Sequence, residues 1–222
     1  MKKIIMISFM LGFHFSLFAQ PATLPLKEWP SIVKTPFVLY ITGDGGFNSF
    51  SNTLCEAISK GGYNISAISS KAYFWDKKTP EQTAAAMEAY LGKQFQSRSN
   101  QQLVLVGYSF GADVIPFVIN KMTAAIKNKL ISVVLISPST STDFQIHWSD
   151  MFGGNTKRSM NVVAEINKMS VPRISTFFGA EEGTFPVKEI LLKNYYNKTL
   201  PGGHHFDGHT DELAMTMMKE FK

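Results

Sequence analysis

Residues Leu103 to Gly111 read LVLVGYSFG. An apolar run of strand length ends in G-x-S-x-G, and a helical pattern begins at Phe110. A strand that turns at once into a helix forces the residue at the corner, Ser109, into a strained backbone. Gly107 and Gly111, two positions to either side, remove side chains that would clash in so tight a turn. The serine hydroxyl is then carried at a sheet edge, at a helix N-terminus whose dipole favours negative charge. The bland alternative is an ordinary strand–helix turn that happens to contain a serine.

The rest of the chain repeats this alternation. Phe37–Ile41 (FVLYI) is a continuous apolar run, as expected of a strand covered on both faces. Further strands are expected over residues 64–69, 103–106, 131–137, 173–178 and, more weakly, 195–200. Helices are expected over 49–60, from Thr79-Pro80-Glu81-Gln82 onward (a capping box with proline at the first helical position), over 110–126 with Pro116 inside, and over 211–221. Residues 21–36 form a proline-containing lead-in along the domain edge, and residues 140–168 resist assignment and read as a cap-like excursion. Apolar strands alternating with helices imply a three-layer α/β sandwich, a mostly parallel sheet with helices on both faces. Ligands of such sheets bind beyond the carboxyl ends of the strands, so the turns there are where chemistry is to be sought.

Composition narrows the class. An apolar fraction of 45% over 222 residues excludes disorder, and the single cysteine, Cys55, excludes a disulfide scaffold. The formal charge of +5 contains Lys2 and Lys3 of an N-terminal segment that reads as removable, which leaves +3. Without a Lys/Arg-rich run, this gives nucleic acid no footing, while weak attraction to an anionic membrane remains open. That segment, residues 1–19, has a positive start, an apolar stretch from Ile4 to Phe18 and a small residue, Ala19, before Gln20. It is short for a membrane span and is read as a cleavable signal peptide. The expectation is therefore a periplasmic protein with one α/β domain over residues 20–222.

A serine needs a general base, usually histidine, oriented by a carboxylate; in this topology the chain order is serine, acid, histidine. The best histidine candidate is His204 in Pro201-Gly202-Gly203-His204-His205, with His205 as the alternative. The rival is a metal cluster of His204, His205, Asp207 and His209, whose spacing matches no common zinc pattern. The acid is expected after the preceding strand, at Glu182, with Glu181 and Asp143 as alternatives. The turn Thr42-Gly43-Asp44-Gly45-Gly46 is expected to offer the Asp44 amide, or that of Gly45, to a developing oxyanion, together with the Phe110 amide. No phosphate-loop or dinucleotide fingerprint is present, and neither cofactor nor metal is expected. Asp44 and Tyr108 are expected on the substrate side. Asp113, in the first turn of the helix after Ser109, reads as a helix-dipole complement. Tyr73, Phe74 and Trp75 read as core or as the lining of a lipid-facing groove.

Taken together, Tyr40–Phe47 (YITGDGGF), Tyr73–Trp75, Lys78–Thr83, Val106–Val114 (VGYSFGADV) and Leu200–Gly208 (LPGGHHFDG) resemble the bacterial virulence VirJ/AcvB domain. The resemblance runs from about Leu39 to the C-terminus. It implies an α/β-hydrolase fold, export to the periplasm and a serine hydrolase whose nucleophile is Ser109 and whose histidine lies in Gly202–His205. AcvB-type members are associated with removing the lysyl group from lysyl-phosphatidylglycerol, and VirJ-type members with type IV secretion as periplasmic accessory proteins. This chain resembles the short form without the additional AcvB half. Two functions are thus implied: an esterase acting on a small-molecule or lipid ester, and a non-catalytic accessory protein that docks on a secretion component.

Overall fold

The computed structural model describes residues 23–31, 36–96, 101–147, 157–183 and 185–222. The expected signal peptide and the middle of the cap-like excursion, residues 148–156, lie outside them.

In chain order the elements are β1 (Leu26–Trp29), β2 (Phe37–Ile41), α1 (Ser49–Lys60), β3 (Ile65–Ile68), α2 (Ser70–Tyr73), α3 (Pro80–Gln96), β4 (Leu103–Tyr108), α4 (Phe110–Lys121), α5 (Ala124–Lys127), β5 (Leu130–Ile136), β6 (Ser141–Thr142), β7 (Met160–Asn161), α6 (Val162–Ile166), β8 (Ile174–Gly179), β9 (Tyr195–Leu200) and α7 (Thr210–Met218). Seven strands form one sheet in the order β1-β3-β2-β4-β5-β8-β9. All neighbours are parallel except β1, which pairs antiparallel with β3 from Leu26↔Ile68 to Trp29↔Ile65.

The central strands are buried throughout because helices cover both faces. On one face Leu39, Ile41, Leu105, Val133 and Leu135 pack with Met87 and Leu91 of α3, Val114 and Val118 of α4, and Val162 and Ile166 of α6. On the other, Val38, Tyr40, Val106, Val134 and Phe177 pack with Leu54 and Ile58 of α1 and Leu213 and Met217 of α7. This alternation of side chains between two apolar layers is why the strands read as unbroken apolar runs rather than as alternating ones. The expected capping box closes around α3: Thr79 N–H donates to Gln82 Oε1 at 3.0 Å and Gln82 N–H to Thr79 Oγ1 at 3.2 Å.

Two expectations are corrected, and one segment left open is filled in. The lead-in contributes β1, a strand that its pattern did not announce. The expected helix over 110–126 continues through Pro116 but ends at Lys121; Met122 is extended (φ −67°, ψ 149°) and a separate short helix follows. Within the cap-like excursion, the described residues form the two-residue ribbon β6–β7, which leads into α6.

Candidate active site

The carboxyl ends of β2, β4, β5, β8 and β9 lie along one edge of the sheet, and the turns that leave them converge there. Ser109 joins β4 to α4 with φ 51° and ψ −118°, a backbone that costs a non-glycine residue on the order of 1–3 kcal/mol. The flanking glycines are needed for contact. A Cβ on Gly111 would collide with the carbonyl oxygen of Ile41, so α4 starts directly against the end of β2. A Cβ on Gly107 would lie 2.6 Å from Ala112 N and from the Gly111 carbonyl. Phe110 opens α4, so its N–H has no intrahelical acceptor.

Glu182 follows β8 on a turn that folds back on itself. Its Oε1 accepts from Gly179 N–H at 2.6 Å and from Ser137 Oγ at 2.6 Å, and its Oε2 lies 3.0 Å from His204 Nδ1. Burial pushes the Glu182 carboxyl up, but the hydrogen bonds from His204, Ser137 and Gly179 outweigh it and hold the group below the usual carboxylate range. Its side chain is 12% exposed, whereas that of His204 is 43% exposed. The imidazole therefore rests on the acid with its other edge toward solvent.

The histidine loop is built for close approach. Gly202 has φ +93°, and the backbone of Gly202 and Gly203 lies against Gly179 so tightly that a Cβ on Gly179 would collide with both carbonyl oxygens. Tyr108, the residue before Ser109, donates its hydroxyl to the carbonyl of His204 at 3.1 Å, and the two rings lie 5.2 Å apart. This contact holds the histidine loop against the strand that presents Ser109. A strand-to-loop brace thus ties the residue next to Ser109 to the backbone of His204, 95 residues beyond Ser109 in sequence.

The remaining candidates fall as follows. His205 turns to the Phe50 ring, edge-on at 5.7 Å, and burial followed by the charge of His204 pushes its pKa down. Glu181 is exposed, its N–H donating to the Gly202 carbonyl at 3.0 Å. Asp143, weighed as an alternative acid, pairs instead with His147 (2.8 Å), four residues on in its own loop. Asp44 is half-buried and Gly45 exposed. The turn's own hydrogen bonds run from Gly46 N–H to Gly43 O and from Asn48 N–H to Gly46 O, and the Asp44 amide takes part in neither. The Asp44 carboxylate acts electrostatically on both Tyr108 and His205, which sets it beside the histidine loop. Tyr108, expected on the substrate side, is only 2% exposed and is committed to His204; burial, with the charges of Glu182 and Asp44, pushes its hydroxyl pKa up. It braces the loop rather than facing a ligand. His204, His205, Asp207 and His209 do not converge: among the described residues no group of three His, Cys, Asp or Glu side chains is placed to hold a metal ion.

Sequence reasoning passed over one contributor, Ser137, and misread another, Asp113. Ser137, just past β5, adopts φ +50° and donates to Glu182. Asp113 is no surface complement of a helix dipole: it is 7% exposed, its Oδ1 accepts from Ser139 N–H at 2.6 Å, and its Oδ2 lies 2.7 Å from Ser139 Oγ. Burial pushes its carboxyl up to about 7, against the lowering effect of the Ser139 hydrogen bonds and of His204. A serine at a strand end and an aspartate in a helix carry no motif that marks them; only the position of Ser137 at the carboxyl edge of the sheet could have drawn notice.

This sheet order, with the strained serine between β4 and α4, defines an α/β-hydrolase fold. Solved structures agree. A lipase-esterase related protein from Clostridium acetobutylicum superposes with a TM-score of 0.64 at 13% identity, over 90% of this chain and 100% of that one. Est1E from Butyrivibrio proteoclasticus gives 0.61 at 13% identity, over 88% and 92% of the two chains. The thioesterase domain from the curacin biosynthetic pathway gives 0.57 at 13% identity, over 87% and 94%. At such identity these likenesses speak for the fold alone. No curated protein sequence matches the chain. The family model for the bacterial virulence protein (VirJ) matches residues 35–222, and the chain belongs to that family.

Proposed function

We propose that the protein is an exported serine hydrolase that cleaves a carboxylic ester. The observation that carries the reading is the 3.0 Å pairing of His204 Nδ1 with Glu182 on a loop that is tied through Tyr108 to the strained Ser109 turn. Ser109 Oγ attacks the ester carbonyl carbon while the free nitrogen of His204, Nε2, takes the hydroxyl proton. Glu182 fixes the tautomer by accepting from Nδ1 and stabilises the imidazolium that forms. The amides of Asp44 and Phe110 receive the oxyanion, each donor contributing about 3–4 kcal/mol to the transition state. Collapse expels the alcohol, which collects the proton from Nε2. Water activated by the same imidazole then attacks the acyl-enzyme and releases the acid and Ser109.

The substrate we infer is an aminoacyl ester of an anionic lipid, the lysyl ester of phosphatidylglycerol being the example implied by the family resemblance. Half-buried Asp44 offers a carboxylate to the substrate ammonium. The segment after β3, at the same end of the sheet, exposes Lys71, Trp75 (44% exposed), Asp76 and Lys77, a surface of one net positive charge with an aromatic ring that can meet anionic headgroups. Export through residues 1–19 would bring the enzyme to a periplasmic membrane face.

The test uses the mature protein. A fluorophosphonate probe is expected to label Ser109, and wild type is expected to hydrolyse a short-chain aryl ester and lysyl-phosphatidylglycerol while Ser109→Ala does neither. Equal turnover by both proteins, or a label on another residue, overturns the proposal. Aryl ester cleavage without lipid cleavage keeps the hydrolase and overturns the substrate.

A further inference from the structure

The loop that carries Ser137 is held from beneath by a carboxyl group that the mechanism does not use. Ser139 Oγ lies 2.7 Å from Asp113 Oδ2 and 2.8 Å from the Ser141 carbonyl oxygen. Both distances are hydrogen-bond lengths, and each needs a proton between its oxygens. A serine hydroxyl has one hydrogen, a carbonyl has none, and an ionised carboxylate has none. If Asp113 were ionised, the one hydroxyl hydrogen would have to be shared between two acceptors, which weakens both contacts. With a proton on Oδ2 every contact is made: the carboxyl O–H donates to Ser139 Oγ, the Ser139 hydroxyl donates to Ser141 O, and Ser139 N–H donates to Oδ1 at 2.6 Å. The surroundings agree, since Asp113 itself is 7% exposed on α4. The charged group acting on it is His204, on the loop after β9; from the β5–β6 connection it is met by uncharged Ser139, and along α4 its N–H donates to the Ser109 carbonyl.

We propose that Asp113 is a protonated positioning residue that locks the segment Ser137-Pro138-Ser139 and, through Ser137, aims Glu182 at His204. The connection is short and stiff. Pro138 fixes its own φ, so pinning Ser139 constrains Ser137. Ser137 holds a left-handed backbone that persists only where surrounding contacts over-determine it. Those contacts are Ser137 N–H to Phe177 O at 2.7 Å, Ser137 Oγ to Glu182 at 2.6 Å, and the Ser139 clamp on Asp113. Ionisation of Asp113 takes away the proton that completes the clamp. The loop then gains freedom, and the acid behind His204 loses one of its two Oε1 donors for part of the time.

The kinetic part rests on the hydrolase reading; the protonation does not. Infrared difference spectra of the mature wild type and Asp113→Asn, recorded across neutral pH, test the protonation directly. A protonated-carboxyl band is expected in wild type on the acid side, fading as pH rises through neutrality and absent from Asp113→Asn. No such band, or the same band in Asp113→Asn, overturns the proposal whether or not any ester is cleaved. Positioning is tested by kcat and KM on a soluble aryl ester. Asparagine reproduces the donor and acceptor pattern of the protonated acid, so Asp113→Asn is expected to keep kcat within about threefold of wild type on the acid side and to lose the alkaline decline. Asp113→Ala is expected to lose about tenfold or more in kcat with KM little changed, the equivalent of one or two hydrogen bonds. Superimposable pH profiles for wild type and Asp113→Asn, or equal impairment of the asparagine and alanine variants, overturn the positioning role. Failure of every variant, wild type included, to cleave ester while the band is present overturns the hydrolase reading instead.

Discussion

Gly179 and Gly203 share a contact that leaves no room for a side chain: a Cβ on the first would strike the carbonyl oxygens of both Gly202 and the second. The acid turn and the histidine loop are thus packed backbone to backbone. Gly179→Ala is expected to push the loop outward and lengthen the His204–Glu182 pair. We expect kcat on a soluble ester to fall at least tenfold, with the melting temperature lowered by a few degrees. Unchanged kcat in a folded Gly179→Ala protein would show that the loop position does not matter to turnover.

Glu182 makes three contacts at once, two of them to hold itself and one to hold His204. Glu182→Gln keeps the shape but removes the charge that stabilises the imidazolium. A loss of about 10³–10⁴ in kcat is expected, in line with acid removal in other triads. The measurement is steady-state turnover of an aryl ester, with circular dichroism confirming that the fold is intact. A loss below about tenfold would assign the orienting role elsewhere.

Tyr108→Phe removes one hydroxyl and the hydrogen bond to the His204 carbonyl while keeping the ring against Phe50, 4.4 Å away. A hydrogen bond of this kind is worth about 0.5–1.5 kcal/mol. We expect kcat to fall by about two- to tenfold and KM to stay constant, because the hydroxyl faces the loop and not the ligand. A change confined to KM would return Tyr108 to the substrate side.

Stability should carry the mark of Asp113. Its carboxyl keeps its proton up to about pH 7 in the folded chain, whereas an unfolded aspartate ionises near pH ~4. Between those values the folded state binds the extra proton. The contribution of Asp113 to stability is therefore complete below about pH 4 and is lost as pH rises to about 7. Glu182 acts with the opposite sign: its pKa is lowered on folding, so its contribution is present above the usual carboxylate range and is lost on acidification. The melting temperature of wild type minus that of Asp113→Asn should shrink between about pH 4 and 7 and then level off. A difference that stays flat across that window would contradict a raised carboxyl.

Much of the fold was legible because burial on both faces leaves a plain imprint: FVLYI became β2 residue for residue, and Thr79 with Gln82 announced the start of α3. The strand β1 left no such imprint. Its four residues are half-exposed or exposed, it lies at a sheet edge, and LKEW lacks the apolar run of a covered strand. The break after Lys121 was hidden because the apolar spacing of α4 continues into α5 across an extended Met122. At the candidate site, the turns after β4, β8 and β9 could be found from their glycines. The partners of Glu182 and Asp113 could not, since Ser137 and Ser139 are joined to them only through space, 45 and 26 residues away. Tyr108 follows the same pattern: its neighbour in sequence is Ser109, but its hydroxyl meets the His204 carbonyl, 96 residues away.

The backbone at Ser109 has a corollary for stability. Glycine would adopt φ 51° and ψ −118° with far less penalty than serine does. A Ser109→Gly protein should consequently melt later than its parent. The melting point of that variant would thus read directly what the strained backbone at this corner costs the fold.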